Sequence, residues 1–143
     1  MNNLKIRFIK SEDIKSLLTF YTKDRDYPKK PRKMDYDEDD IDSYIKSDHC
    51  KIVVAKIDND VVAYSIFYDL ITWGYIDEIC VNKSHRNIGV GTKIFKWIEK
   101  KYKNKWYCIE IAAHAENTEM IKYLTKLGFI TDDKLVWKFK VLK

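Results

Sequence analysis

Apolar residues change their spacing several times along this chain, and each change marks an element. Leu4 to Ile9 alternates apolar and polar side chains as a half-buried strand does. Ser11 then offers an N-cap to a helix whose Ile14, Leu17, Leu18 and Tyr21 recur on one face. Both prolines fall in Tyr27-Pro28-Lys29-Lys30-Pro31, which breaks that helix and reads as a connection. Asp37 to Ser47 predicts a short second helix with its acids gathered at the N-terminal end, where the helix dipole favours them. Lys51 to Ile57 and Val61 to Thr72 predict a hairpin turning across Asp58-Asn59-Asp60. A fourth strand runs from Tyr75 to Val81, and Ile94, Phe95, Ile98 and Tyr102 give a buried stripe to a helix beginning near Thr92. Trp106 to Ala113 predicts a fifth strand. Met120, Ile121, Leu124 and Leu127 line the core face of a last helix, and Phe129 to Thr131 and Leu135 to Val141 predict two closing strands. The alternation by itself implies a mixed α/β domain.

Composition narrows this to one domain over residues 1–143, since 45% hydrophobic and 14% aromatic content suffice for a single sizeable core. No apolar run approaches the roughly 18 residues of a membrane span, and Met1-Asn2-Asn3-Leu4 does not begin a signal peptide. The expectation is a soluble, cytoplasmic protein. Cys50, Cys80 and Cys108 are odd in number and sit in apolar strand patterns, as reduced, buried thiols do. Neither they nor His49, His85 and His114 have metal-ligand spacing, so no metal is expected.

The 27 Lys and Arg outnumber the 22 Asp and Glu, for a net charge of +5. Basic residues cluster at Lys23–Lys33 and Lys93–Lys105, and acids at Asp35–Asp42. Solvated helix faces account for such runs better than a nucleic-acid interface does, and a mildly positive field also suits a phosphate-bearing ligand.

Three of the four glycines lie in two motifs, Arg86-Asn87-Ile88-Gly89-Val90-Gly91 and Leu127-Gly128-Phe129. The first joins an apolar strand to a helix start, and that order builds an anion site. The first backbone N–H groups of a helix lack intrahelical partners and, with the macrodipole, favour phosphate. Gly89 and Gly91 let a diphosphate approach the main chain, and Asn87 tolerates left-handed backbone. The loop lacks the Lys-Ser/Thr ending of a nucleoside triphosphate P-loop and the third glycine of a dinucleotide fingerprint.

With Arg86, Gly89 and Gly91 the loop resembles the cofactor loop Gln/Arg-x-x-Gly-x-Gly/Ala of the GNAT superfamily of acetyl-coenzyme A-dependent N-acetyltransferases. Asn117-Thr118-Glu119-Met120 through Lys126-Leu127-Gly128-Phe129 is similar to the family's second signature, and Gly74 to Asn82 to the strand preceding the loop in glucosamine-phosphate acetyltransferases. The resemblance implies the element order β-α-α-β-β-β-α-β-α-β-β, a mixed, mostly antiparallel sheet of six to seven strands flanked by about four helices. It implies an enzyme that transfers acetyl from acetyl-CoA directly to an amine, with a small amine preferred over a protein as acceptor. The cofactor contacts it implies are Ile79, Cys80 and Val81 of the strand, Arg86, Asn87, Ile88, Gly89, Val90, Gly91 and Thr92 of the loop, and Asn117 and Lys126 of the last helix. Many family members pair through their closing strands, so Trp137, Phe139 and Val141 suit a homodimer as well as a monomer.

An alkyl amine with a pKa of about 10 is almost wholly protonated at neutral pH, so a base must take its proton. Asp77 and Glu78 interrupt an apolar strand and are the candidates. On an ideal strand they point to opposite faces, and a bulge would exchange those faces. The resemblance favours Glu78 as base, with Asp77 second. It places a tyrosine, proton donor to the departing thiolate, where this chain has Leu124, with Tyr123 beside it and His114 or Tyr107 as substitutes. That departure supports the alternative of a cofactor-binding or regulatory domain without turnover. The acidic run Asp35 to Asp40 either attracts a cationic acceptor or serves as a solvated helix N-terminus.

Overall fold

A single sheet runs β1 (Leu4–Phe8), β2 (Cys50–Ile57), β3 (Asp60–Asp69), β4 (Trp73–Val81) and β5 (Cys108–Ile111), side by side in chain order. The first four strands are antiparallel neighbours, and β5 lies parallel to β4. The helices are α1 (Ile14–Lys23), α2 (Glu38–Lys46), α3 (Val90–Tyr102) and α4 (Thr118–Lys126). The computed structural model describes residues 3–23, 36–132, 138 and 140. The chain divides into two compact units, Met1–Ala112 with the sheet and α1 to α3, and Ala113–Lys143 with α4.

In the first unit β2 and β3 are covered on both faces, which is why they read as nearly unbroken apolar runs. One face meets α1 and α2, where Leu17, Phe20, Tyr21 and Ile41 pack with Cys50, Ile52, Val54, Tyr64 and Ile66. The other meets α3, whose predicted stripe of Ile94, Phe95, Ile98 and Tyr102 is buried throughout. There the Phe67 ring stands edge-on to Tyr102 at 5.6 Å and to Trp106 at 5.8 Å. Two buried carboxylates fasten the layers. Asp13 receives Arg7 and Lys56 at 2.6 Å each and the Lys10 N–H at 2.9 Å. Asp69 receives Lys105 Nζ at 2.6 Å and Trp106 Nε1 at 2.9 Å.

Several boundaries move from those expected. Ser11 opens a 3-10 turn, Ser11–Asp13, ahead of α1, and Asp13 caps that turn through the Lys10 N–H. Because Gly89 is already the N-cap, α3 starts at Val90 rather than Thr92. The third strand stops at Asp69 rather than Thr72, for a reason the apolar run Leu70-Ile71 conceals. Thr72 N–H bonds to the Leu70 carbonyl at 2.9 Å around an Ile71 at φ 73°, a γ-turn. β4 therefore begins at Trp73, and β5 is shorter than Trp106–Ala113. Cys50 is buried as expected, but Cys80 and Cys108 are only half-buried.

In the second unit Asn117 caps α4 by accepting the Met120 N–H at 3.1 Å. Gly128, at φ 92°, ends it with the paired bonds of a Schellman motif, Phe129 N to Leu124 O at 3.1 Å and Gly128 N to Thr125 O at 3.0 Å. That cap takes up Phe129, and no strand forms at 129–131. The break expected at Tyr27–Pro31 and, Lys138 and Lys140 apart, the strand expected at Leu135–Val141 lie outside the described residues.

Candidate active site

The register between β3 and β4 slips once. Ile66 lies opposite Glu78, yet its neighbour Phe67 lies opposite Ile76, so Asp77 is an extra residue in β4. In a regular strand Ile76 and Glu78 share a face. Here Ile76 stays with Phe67 on the α3 side, while Glu78 moves with Ile66 to the side of α1 and α2. Asp77 follows Tyr75 by two positions, and Tyr75 stacks at 6.4 Å on Tyr68 of that same side. Both carboxylates thus face α1 and α2. Regular pairing instead drives one of them into the apolar layer beneath α3, a costly place for an ionised group.

The two acids have different surroundings. Glu78 is 3% exposed, and Tyr64, itself buried, donates its hydroxyl proton to Glu78 Oε1 at 2.5 Å. Ser65 Oγ donates to the Glu78 carbonyl at 3.0 Å and fixes the backbone just past the bulge. Asp77 is half-buried and makes no hydrogen bond or ion pair among the described residues. Tyrosines pack on the same face. The Tyr36 ring lies 5.6 Å from Tyr44 and 5.4 Å from Tyr21, and its hydroxyl is buried without a hydrogen-bond partner of ordinary length among the described residues. Burial first, then the charges of Tyr44, Asp77 and Glu78, raises the Tyr36 phenol far above its ordinary range. Burial and Asp77 together push the Cys50 thiol up to about 12, which makes it an inert packing group.

Past Ile76 the sheet parts. Parallel pairing of β4 with β5 ends at Ile76 and Ile111, so Asp77 to Val81 are paired only with β3 among the described residues. Among the described residues, no strand pairs with the outer backbone edge of Ile79 and Val81. One group there is taken, because Arg86 Nε donates to the Val81 carbonyl at 2.9 Å. Arg86 ties the strand end to the loop that follows.

That loop is built on left-handed backbone, as its residues suggest. Asn87 has φ 61° and Gly89 φ 85°. Asn82 Oδ1 accepts from Ser84 N at 2.9 Å and Ser84 Oγ at 2.7 Å, shaping the 3-10 turn Lys83–His85 before it. α3 has no side-chain N-cap, so its first N–H groups depend on another acceptor. A Cβ built on Gly89 meets nothing within 4 Å, so glycine is needed there for conformation, and the space before it is open. Ile88 is exposed and Val90 buried, which anchors the loop on one side and leaves the other clear. A helix start without a side-chain cap, and a strand edge that no described strand pairs, fit the diphosphate and amide arm of coenzyme A.

Other candidates separate. In the acidic run, Asp37 and Asp40 form a reciprocal capping box on α2, at 2.9 and 3.1 Å, and Asp42 pairs with Lys46. Those acids serve the helix, and Asp35 lies outside the described residues. Tyr107 sits opposite the Trp73 end of β4, where it lines a cavity of about 270 Å³ with Glu99, Tyr102 and Trp106. The 13-residue α3, about 20 Å long at 1.5 Å per residue, separates that cavity from Gly89. Tyr107 thus lies toward the opposite end of β4 from Ile79 and Val81. Asn117, Leu124, Lys126 and His114 belong to the second unit, with Leu124 buried and Lys126 in the last turn of α4. Tyr64 carries no sequence signal, since a tyrosine in an apolar run reads as core, whereas Tyr36 stands within the acidic run that the sequence offered as a candidate cation site. Among the described residues no His, Cys, Asp and Glu gather as a metal set, and no helix is long and apolar enough to cross a membrane.

The sequence model of the acetyltransferase (GNAT) family matches residues 14–129. No curated protein matches the chain by sequence. Among solved structures, a possible acetyltransferase from Clostridium difficile 630 superposes with a TM-score of 0.81 at 17% identity, covering 98% of this chain and 99% of its own. A ribosomal-protein-alanine N-acetyltransferase from Brucella melitensis biovar Abortus 2308 gives 0.75 at 18% identity, with 98% of each chain covered. The aminoglycoside N-acetyltransferase AAC(6')-Iy in complex with CoA gives 0.76 at 16% identity, covering 96% of this chain and 94% of its own.

Proposed function

Because the chain belongs to the acetyltransferase (GNAT) family, whose members take acetyl from acetyl-CoA, we propose that it acetylates a small primary amine with Glu78 as the base. The observation that carries this reading is the bulge, which turns Glu78 toward α1 and α2, near a strand edge that no described strand pairs and a helix start without a side-chain cap. When bound, acetyl-CoA supplies the activated thioester carbonyl. Glu78 receives the proton that the amine nitrogen loses as it forms its bond to that carbonyl carbon, and the carbon–sulfur bond breaks with the electron pair leaving on sulfur. Tyr64 holds one Glu78 oxygen and leaves the other to face the amine or a water relay. The backbone N–H groups of Ile79 and Val81, on the edge away from β3, supply fixed donors for the developing oxyanion and pair with the amide arm. The N–H groups of Val90, Gly91 and Thr92, with the Asn87–Gly89 turn, receive the diphosphate.

Asn117 and Lys126 are proposed from the resemblance alone as contacts to the cofactor arm and phosphates. Residues 1–143 are proposed to work as one acetyltransferase domain, in keeping with a family match that crosses the boundary between the two units. A thiol of pKa near 8.5 is a tolerable leaving group, so Leu124 in place of a tyrosine slows the reaction without forbidding it. The test is release of coenzyme A thiol from acetyl-CoA across a panel of small amines and a lysine peptide. Amine-dependent release by the wild type that Glu78→Gln abolishes is the expected result. Acetyl-CoA binding without release for any amine would favour the non-catalytic reading that Leu124 motivates.

A further inference from the structure

We propose that Asp77, on the sheet face that also carries Tyr36, Tyr44 and Tyr68, holds a second ammonium group of the acceptor, so that the substrate is a small polyamino compound and not a monoamine. This rests on the acceptor site proposed above and deepens it. A regular strand shows one of two adjacent acids to each face, whereas the bulge shows both to the same one. Only one is needed as base. Glu78 is already engaged by Tyr64, while Asp77 has no hydrogen bond or ion pair among the described residues.

Any acceptor that fills this face strips water from the Asp77 carboxylate. A monoamine that has given up its proton to Glu78 brings no charge to replace that water, and the carboxylate is left desolvated and unpaired. A second, protonated nitrogen compensates it. The tyrosine rings suit such a group, because a cation is attracted to the face of a phenol ring that also shields it from solvent. The buried Tyr36 hydroxyl adds an acceptor for an ammonium N–H. The charge of Asp77 raises the pKa of Tyr36, Tyr44, Tyr68 and Cys50, after burial, the first cause in each.

The experiment compares kcat/KM for 1,4-diaminobutane, butylamine and 4-amino-1-butanol. The wild type is expected to prefer the diamine by about tenfold or more, as a charged hydrogen bond warrants. Asp77→Asn should bring the three together through a higher KM for the diamine, and Asp77→Glu should keep the preference. Equal use of the three amines by the wild type, or a preference that survives in Asp77→Asn, overturns the proposal. Calorimetric binding of 1,4-diaminobutane in the presence of coenzyme A is read alongside, with thermal melting as the folding control. If no amine turns over, Asp77-dependent diamine binding upholds this proposal while the transferase role of Glu78 falls. Diamine binding unchanged in Asp77→Asn sinks it whatever the turnover.

Discussion

Glu78 and Gly89 act through single atoms or single angles, and their predictions belong at that scale. Glu78→Gln keeps an oxygen for the Tyr64 hydroxyl and removes only the ability to take a proton. Turnover should fall by about 100- to 10,000-fold with the melting temperature nearly unchanged, as steady-state kinetics and calorimetry will show. Gly89→Ala separates strain from collision, since the added methyl meets no atom within 4 Å but the backbone stays at φ 85°. A loss of about 1 kcal/mol in urea denaturation is expected, and a larger loss would mean the loop rearranges. Both residues stood out in the sequence, one as an acid inside an apolar strand and the other as a scarce glycine before a helix. Tyr64 did not, because its hydroxyl gains meaning only from the strand paired beside it.

Elements depend on contacts that chain order hides. Gly74 of β4 lies under the Trp106 ring, and a Cβ there comes within 2.2 Å of it. That ring cannot slide away, being stacked on Tyr102 at 3.8 Å and bonded through Nε1 to Asp69. Gly74→Ala should therefore cost about 2 to 3 kcal/mol by chemical denaturation, far more than an exposed strand glycine would. In the β3–β4 turn the reverse holds. Ile71 is 67% exposed and sits at φ 73°, a strained place for a β-branched side chain. Ile71→Gly should stabilise the protein by about 1 kcal/mol in the same assay. The helices were legible because their apolar stripes repeat faithfully, and α2 and α4 also carry the ordinary caps Asp37 and Asn117. The turn at Ile71 and the bulge at Asp77 were not, since neither carries the glycine, proline or asparagine that usually marks such breaks.

For the molecule as a whole, alternating periods implied a mixed α/β domain and the resemblance its element order, while the carboxylates that join the layers left no sign in either. Asp13 is fully buried, and burial alone pushes its carboxyl up. Hydrogen bonds from Arg7, Lys56 and the Lys10 N–H outweigh that and bring it from 3.8 down to about 2. A folded value below the unfolded one means stability that is complete above pH 3.8 and lost as pH falls through about 2. Its size is about 2 kcal/mol. Asp69, lowered despite its burial by Lys105 and Trp106, adds a contribution of the same sign. Stability measured from pH 5 to pH 2 should fall accordingly. Asp13→Asn should flatten that decline and lower stability at neutral pH by about 3 kcal/mol, because Arg7 and Lys56 lose their shared partner. The extra residue in β4 has a consequence on this scale too. Since Asp77 sets the parity of everything after it, removing or adding one residue in Asp77–Val81 would swap which side chains face the helices and which face α3. Over the course of divergence this strand can exchange side chains one at a time, but its length is held fixed.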